Sequence, residues 1–114
     1  MRQSFLVPVQ KPTENVTHVE ISAFYAKGGT SFLTGRDELR GFYVSVQPVC
    51  VKDGLMSFLM FSGAKSLIEP ANRLNRKKEE ALLAQAQTEV TAKAGKLWEI
   101  VQSFLASKGL ALAS

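Results

Sequence analysis

The sequence contains very few of the residues that build reactive sites. Among 114 residues it has one cysteine, Cys50, and one histidine, His18. A single cysteine excludes an intramolecular disulfide, and cysteine and histidine are too few for a structural zinc site. A catalytic serine or cysteine would have to recruit His18, and no motif marks a partner for it. We therefore expect no metal site and no enzyme.

Long apolar runs and nucleotide-binding loops are also missing. No stretch approaches the roughly 18 apolar residues that a membrane-spanning helix needs, and the run within residues 1–9 is too short for a signal peptide. The glycines at 28, 29 and 35 are not followed by the Gly-Lys-Ser/Thr of a phosphate loop, so a hairpin loop is the better interpretation. We expect a cytoplasmic protein without a cofactor and without a membrane partner.

Residues 16–62 carry the alternation that is typical of β-strands. Strands are predicted over 16–26, 40–51 and 55–62, with a short additional strand over 30–34. Asp53-Gly54 predicts a tight hairpin between the last two long strands. The strand over 55–62 is apolar on both faces, so we expect it to be central in the sheet or covered on both sides.

Residues 66–108 predict a long helical tract. Ser66 and Glu69 match a capping box, and Gly109 is a stop signal. Gly95 would kink the helix or divide it into two, over 67–93 and 96–108. A straight helix of about 40 residues would be about 60 Å long, which exceeds a small sheet. Part of it must fold back or pack on a second chain.

Together these patterns predict an α+β protein: an antiparallel meander of three to four strands, followed by a long C-terminal helix. Residues 1–15 form an N-terminal arm, in which residues 5–7 are either a short edge strand or a partner contact. Residues 16–114 form one domain. The order of strands and then helix resembles the half-repeat of Pur-alpha-type single-stranded DNA-binding domains, in topology alone.

Two patterns favour nucleic acid as a partner. The net charge is +4. One face of the long strands presents Phe24 and Tyr43 among polar residues, with cations in the adjoining loops, and a further basic cluster lies near the start of the helical tract. Coverage of that face by protein and a solvated helix face are the competing explanations. The predicted contacts are Phe24, Lys27, Arg36, Arg40, Tyr43, Lys52, Arg73, Arg76, Lys77 and Lys78.

The alternative function is a homodimeric interaction module with no nucleic-acid role, in which the long helix and the apolar strand over 55–62 form the interface. Apolar residues recur at every seventh position of the helical tract, which is the pattern of a helix that packs against a partner helix. The predicted dimer interface consists of Leu83, Val90, Leu97 and Phe104. The two functions are compatible, because dimerisation would double a binding surface.

Overall fold

The computed structural model describes residues 2–30, 35–58, 62–70 and 76–113. In chain order its elements are β1 (Arg2–Pro8), β2 (His18–Ala26), β3 (Gly29–Thr30), β4 (Asp37–Glu38), β5 (Gly41–Lys52), β6 (Leu55–Phe58), β7 (Ala64–Pro70), α1 (Arg76–Ala92) and α2 (Lys96–Ser107). Five strands form one antiparallel sheet, and the helices pack on one face of it. The prediction of an α+β fold with an antiparallel sheet is confirmed.

The main sheet has the order β1-β2-β5, with β6 and β7 placed one after the other along the remaining edge of β5. β3 and β4 form a separate two-stranded ribbon in the connection between β2 and β5. Residues 2–8, which the sequence places in an arm, form β1. Every residue of β1 pairs with a residue of β2. The isolated bridge between Val9 and Leu112 then ties the C-terminal segment to the end of β1.

The predicted hairpin between β5 and β6 is confirmed. Lys52 pairs with Leu55, and Asp53 and Gly54 between them have φ values of 54° and 77°. Positive φ at both central residues is the geometry that joins two twisted strands through a two-residue turn. Asp and Gly tolerate that conformation, which is why these two letters located the turn correctly.

The core lies between the sheet and the helices. Ile21 from β2 and Phe42, Val44 and Val46 from β5 are almost completely buried beneath them, as the strand alternation predicts. The helix α1 contacts β1 and β2, whereas α2 contacts β5. The helical residues buried in this core are Leu83, Ala86, Val90, Leu97, Trp98, Val101 and Leu105.

The predicted helix start at Ser66 is wrong. Residues 64–70 form β7, antiparallel to β5, and the first described helical residue is Arg76. A capping box provides hydrogen bonds only to backbone groups in the first turn of a helix. Pairing with the open edge of β5 provides them along a whole strand. Pro70 fits this arrangement because it stands at the end of an edge strand.

The single long helix is also wrong; the alternative of two helices is confirmed, although residues 67–70 of the first predicted helix belong to β7. α1 has 17 residues and α2 has 12, and Gly95 between them has a φ of 103°. At 1.5 Å per residue the two helices are about 26 and 18 Å long, so both fit on the sheet. The tract therefore folds back on its own sheet. In the described parts of the chain, no helix combines the length and the apolar character needed to cross a membrane.

The expectation that the third long strand is central or covered is wrong for its described part. β6 pairs only with the last four residues of β5, and it leaves Leu55, Met56 and Phe58 exposed by 76%, 46% and 56%. The centre of the sheet is taken by β2 and β5 because β1 adds to the far edge of β2. The remainder of the predicted strand, residues 59–61, lies outside the described residues.

Candidate nucleic-acid interface

The sheet face opposite the helices, called the outer face here, carries a row of side chains across four strands. Arg2 of β1 pairs with Phe24 of β2, Phe24 pairs with Tyr43 of β5, and Tyr43 pairs with Leu67 of β7. Directly paired residues in antiparallel strands present their side chains on the same face. The Phe24 and Tyr43 rings are accordingly stacked, with centroids 6.3 Å apart and planes inclined by 23°.

Both rings are buried, which agrees with the competing explanation that protein covers this face and not with exposed rings on which bases stack. Tyr43 is 4% exposed and Phe24 is 8% exposed. The Tyr43 hydroxyl donates a hydrogen bond to the carbonyl of Leu39, and burial raises the pKa of this phenol above its ordinary value. The polar residues predicted around the rings, Ser22 and Ser45, are buried as well. Sequence alternation identified this face correctly but could not report what covers it.

Two cations lie over the ring pair. The guanidinium carbon of Arg2 is 4.3 Å from the centroid of Phe24, and the ammonium nitrogen of Lys65 is 4.7 Å from the Tyr43 centroid and 5.4 Å from that of Phe24. All three distances are within the range in which a ring attracts a cation. The ring pair thus lies directly beneath two positive charges at the outer face.

The electrostatics of Lys65 reflect this crowding. Burial lowers the pKa of its ammonium group, and the neighbouring positive charge of Arg2 lowers it further. Desolvation and a like charge both disfavour the protonated form of a lysine. An anion near Arg2 and Lys65 would offset the repulsion between the two positive charges and raise the pKa of Lys65 again.

Neither Arg2 nor Lys65 was among the predicted contacts. The sequence places Arg2 in the N-terminal arm, and Lys65 directly precedes the helix that the sequence predicts from residue 66. The strand alternation of residues 2–8 was the one available indication for Arg2, since a first strand in register with β2 places it opposite Phe24. No local pattern indicated Lys65, whose position depends on β7 pairing with β5.

Three predicted cations lie at the same end of the sheet. β2 ends at Ala26 opposite Gly41, the first residue of β5, so Lys27 and Arg40 flank the same strand ends. The Arg40 Nε donates a hydrogen bond to the Lys27 carbonyl at 3.4 Å. Arg36 precedes β4 in the same connection. We use the name cation cluster for two neighbouring groups of cations, Arg2 and Lys65 over the rings and Lys27 and Arg40 at the adjoining ends of β2 and β5.

The other predicted cations are not gathered there. Lys52 stands at the opposite end of the 12-residue β5, about 36 Å from Gly41 at roughly 3.3 Å per residue. On the helix, Arg76 pairs with Glu80 at 3.3 Å, Lys78 pairs with Glu69 of β7, and Lys77 is exposed. Arg73 lies outside the described residues.

The predicted dimer residues lie within the core of their own chain. Leu83, Val90 and Leu97 are buried beneath the sheet, and Phe104 packs partly buried against the same cluster. The seven-residue spacing therefore reflects intramolecular packing of two helices on a sheet. The described helices, α1 and α2, are each short enough for the sheet because the tract is divided at Gly95, so helix length gives no reason to expect a partner here.

In the ranges that the structure describes, no three histidine, cysteine, aspartate or glutamate side chains are grouped so that they could hold a metal ion. Comparison of the chain with family models, with curated proteins and with solved structures found no match.

Proposed function

We propose that this protein binds single-stranded nucleic acid, with phosphates held by Arg2 and Lys65 on the outer face of the sheet and by Lys27 and Arg40 at the adjoining strand ends. The observation that carries the proposal is the position of Arg2 and Lys65, two neighbouring positive charges held over one aromatic pair. The net charge of +4 and the nearby Lys27 and Arg40 add attraction for a polyanion. The role is one of binding, with no catalytic step.

Burial of the rings changes how the bases would be held. Phe24 and Tyr43 lie beneath the cations, so a base does not stack on them directly. Arg2 is itself exposed, and an arginine guanidinium is a surface on which an unpaired base can stack. Base faces are accessible in single strands and not within a duplex, which is the reason to favour single-stranded partners. We expect affinity to come mainly from phosphates and to depend weakly on sequence.

A salt-dependent titration tests this proposal. The anisotropy of a labelled single-stranded oligonucleotide is followed at several salt concentrations, with the matching duplex as the control. Four phosphate contacts predict a slope of about −3 for the logarithm of the association constant against the logarithm of salt concentration. Binding that is absent at low salt, or equally tight for the duplex, would contradict the proposal.

A second candidate function, a homodimeric interaction module, is favoured by a different observation. Leu55, Met56 and Phe58 are exposed together on β6, a strand at the edge of the sheet. Exposed apolar edge strands are sites at which another chain can add. Of the two predicted parts of the interface, the helices and the third long strand, only the strand remains exposed in β6, where two copies could pair edge to edge. A cytoplasmic location belongs to both proposals, since a chain with one cysteine suits a reducing compartment.

Light scattering on matched variants tests the second candidate. Phe58→Ser should shift a dimer to the monomer, whereas Leu39→Ser, which alters an apolar residue of similar exposure (69%) away from β6, should leave the mass unchanged. A wild-type protein that is monomeric at high micromolar concentration excludes the module. The oligonucleotide titration is independent of that result, so the two candidates are tested separately.

A further inference from the structure

A groove separates α2 from the C-terminal segment, and the sheet-face proposal leaves it without a role. Its volume is about 370 Å³, within the range of small-molecule pockets. We propose that it binds a small amphiphile: an unbranched alkyl chain that ends in a single carboxylate. The lining and the charges around the groove support this choice of ligand, independently of nucleic-acid binding.

One wall of the groove is a face of α2. Trp98, Gln102 and Leu105 are spaced at i, i+4 and i+7, so they lie on one side of the helix. From Trp98 to Leu105 the helix rises about 10 Å, a length that an extended alkyl chain of medium length covers. Trp98 and Leu105 are mostly buried and present only the outer parts of their side chains to the groove, and the exposed Gln102 lies between them.

The opposite wall is the C-terminal segment, with Leu110 and Leu112 among its lining residues. Backbone hydrogen bonds attach this wall to the end of β1. Gln10 donates to the Ala111 carbonyl at 2.8 Å, and Ala113 donates to the Pro8 carbonyl at 3.0 Å. A further bond runs from the Leu110 N–H to the Leu105 carbonyl at 2.9 Å, which fixes the segment to α2. The groove is therefore preformed, and binding needs little ordering of the chain.

Lys93 supplies the charge. It lines the groove from the turn between α1 and α2, where its φ is 54°, a left-handed conformation that helix ends usually assign to glycine or asparagine. Lys93 is exposed and forms no ion pair within the described ranges. An apolar channel with one unpaired cation beside it complements an alkyl chain with one anionic head. A neutral head would gain less from Lys93 than a carboxylate does, and a cationic head would be repelled by it.

Trp98 makes a direct experiment possible because it is the only tryptophan in the chain. Decanoate, kept below the concentration at which it forms micelles, is titrated into the full-length protein while tryptophan emission is recorded. We expect a saturable change in emission. Decanol should bind more weakly, and decyltrimethylammonium should bind more weakly still. An emission that does not change, or that changes without saturation, would overturn the proposal.

Two pairs of variants assign the response to the groove. Lys93→Gln should weaken decanoate binding by about two- to fivefold, the worth of an exposed ion pair, and should leave decanol binding unchanged. Lys96→Gln, an exposed lysine outside the lining, is its control. Ala106→Leu should fill the groove and abolish binding of both ligands, whereas Ala84→Leu on the exposed side of α1 should not. If a groove variant and its control change ligand binding equally, in either pair, the ligand does not bind in this groove.

Discussion

The Glu89 carboxylate in α1 accepts a hydrogen bond from the backbone N–H of Leu97 in the first turn of α2, at 3.0 Å. The first N–H groups of a helix have no partner within the helix, and a side chain at the N-cap usually satisfies one of them. The N-cap residue of α2 is Gly95, which has no side chain. A residue of the preceding helix therefore caps α2, and this bond fixes the two helices relative to one another.

Replacement of Glu89 tests this cap. Glu89→Ala should lower the free energy of unfolding by about 1 kcal/mol, the usual value of an N-cap side chain. Chemical denaturation measures this change. The control is Glu80→Ala, which removes a surface ion pair with Arg76 and should change stability by no more than about 0.5 kcal/mol. Equal losses in the two variants would mean that the Glu89 bond does not cap α2.

Gly95 is required for two separate reasons, and two variants distinguish them. Its φ of 103° disfavours any side chain, and a β-carbon there would collide with the Glu89 carboxylate. Gly29 has a similar φ of 96° with open space around it. Gly29→Ala should therefore report the backbone strain alone, about 1–2 kcal/mol. Gly95→Ala should cost more than Gly29→Ala in the same denaturation experiment, and equal costs would show that the contact with Glu89 is unimportant.

Substitution of Leu97 tests whether this residue belongs to the core of one chain or to a dimer interface. It is 1% exposed beneath its own sheet, so Leu97→Ala should lower the free energy of unfolding by about 2–5 kcal/mol. The loss should be the same at every protein concentration, because the contacts lie within one chain. Thermal unfolding at two widely different concentrations provides the measurement. If the unfolding midpoint depends on concentration in the wild type but not in Leu97→Ala, then Leu97 lies in a dimer interface and this prediction is wrong.

The raised pKa of Tyr43 predicts how the stability of the fold responds to alkaline pH. Burial raises the pKa of its phenol in the folded protein, whereas an unfolded tyrosine ionises near 10.0. The stability that this group contributes is therefore complete below pH 10 and is lost as the pH rises through the folded-state pKa. Denaturation across this range should show a loss that Tyr43→Phe reduces and Tyr25→Phe retains. Identical pH profiles for both variants would contradict the assignment.

Sequence patterns predicted the parts of this fold that depend on short-range chemistry. The alternation in β2 and β5, the Asp53-Gly54 turn and the break at Gly95 each follow from one residue's conformational limits or from a simple period. The strand β7 does not follow from such patterns, because its residues also match the start of a helix. Only the open edge of β5, a feature of tertiary structure, determines that residues 64–70 form a strand.

The candidate site was predicted in part for the same reason. Alternation placed Phe24 and Tyr43 on one face, and the loop cations Lys27 and Arg40 lie at the end of the sheet where those rings are found. Arg2 and Lys65 were missed, since each reaches the rings from a strand whose pairing is distant in sequence. Burial of the rings was missed too, because a strand pattern identifies a face and gives no information on what covers it.

The salt dependence of oligonucleotide binding in two lysine variants tests the central claim most directly. Lys65→Met removes the charge over the ring pair and keeps an apolar stem on it, whereas Lys52→Met removes a charge at the far end of β5. If the cation cluster holds phosphates, Lys65→Met weakens single-strand binding and reduces the salt slope by about 0.7 to 1, while Lys52→Met leaves the slope unchanged. If both variants retain the wild-type slope and affinity, the outer face is not a nucleic-acid interface.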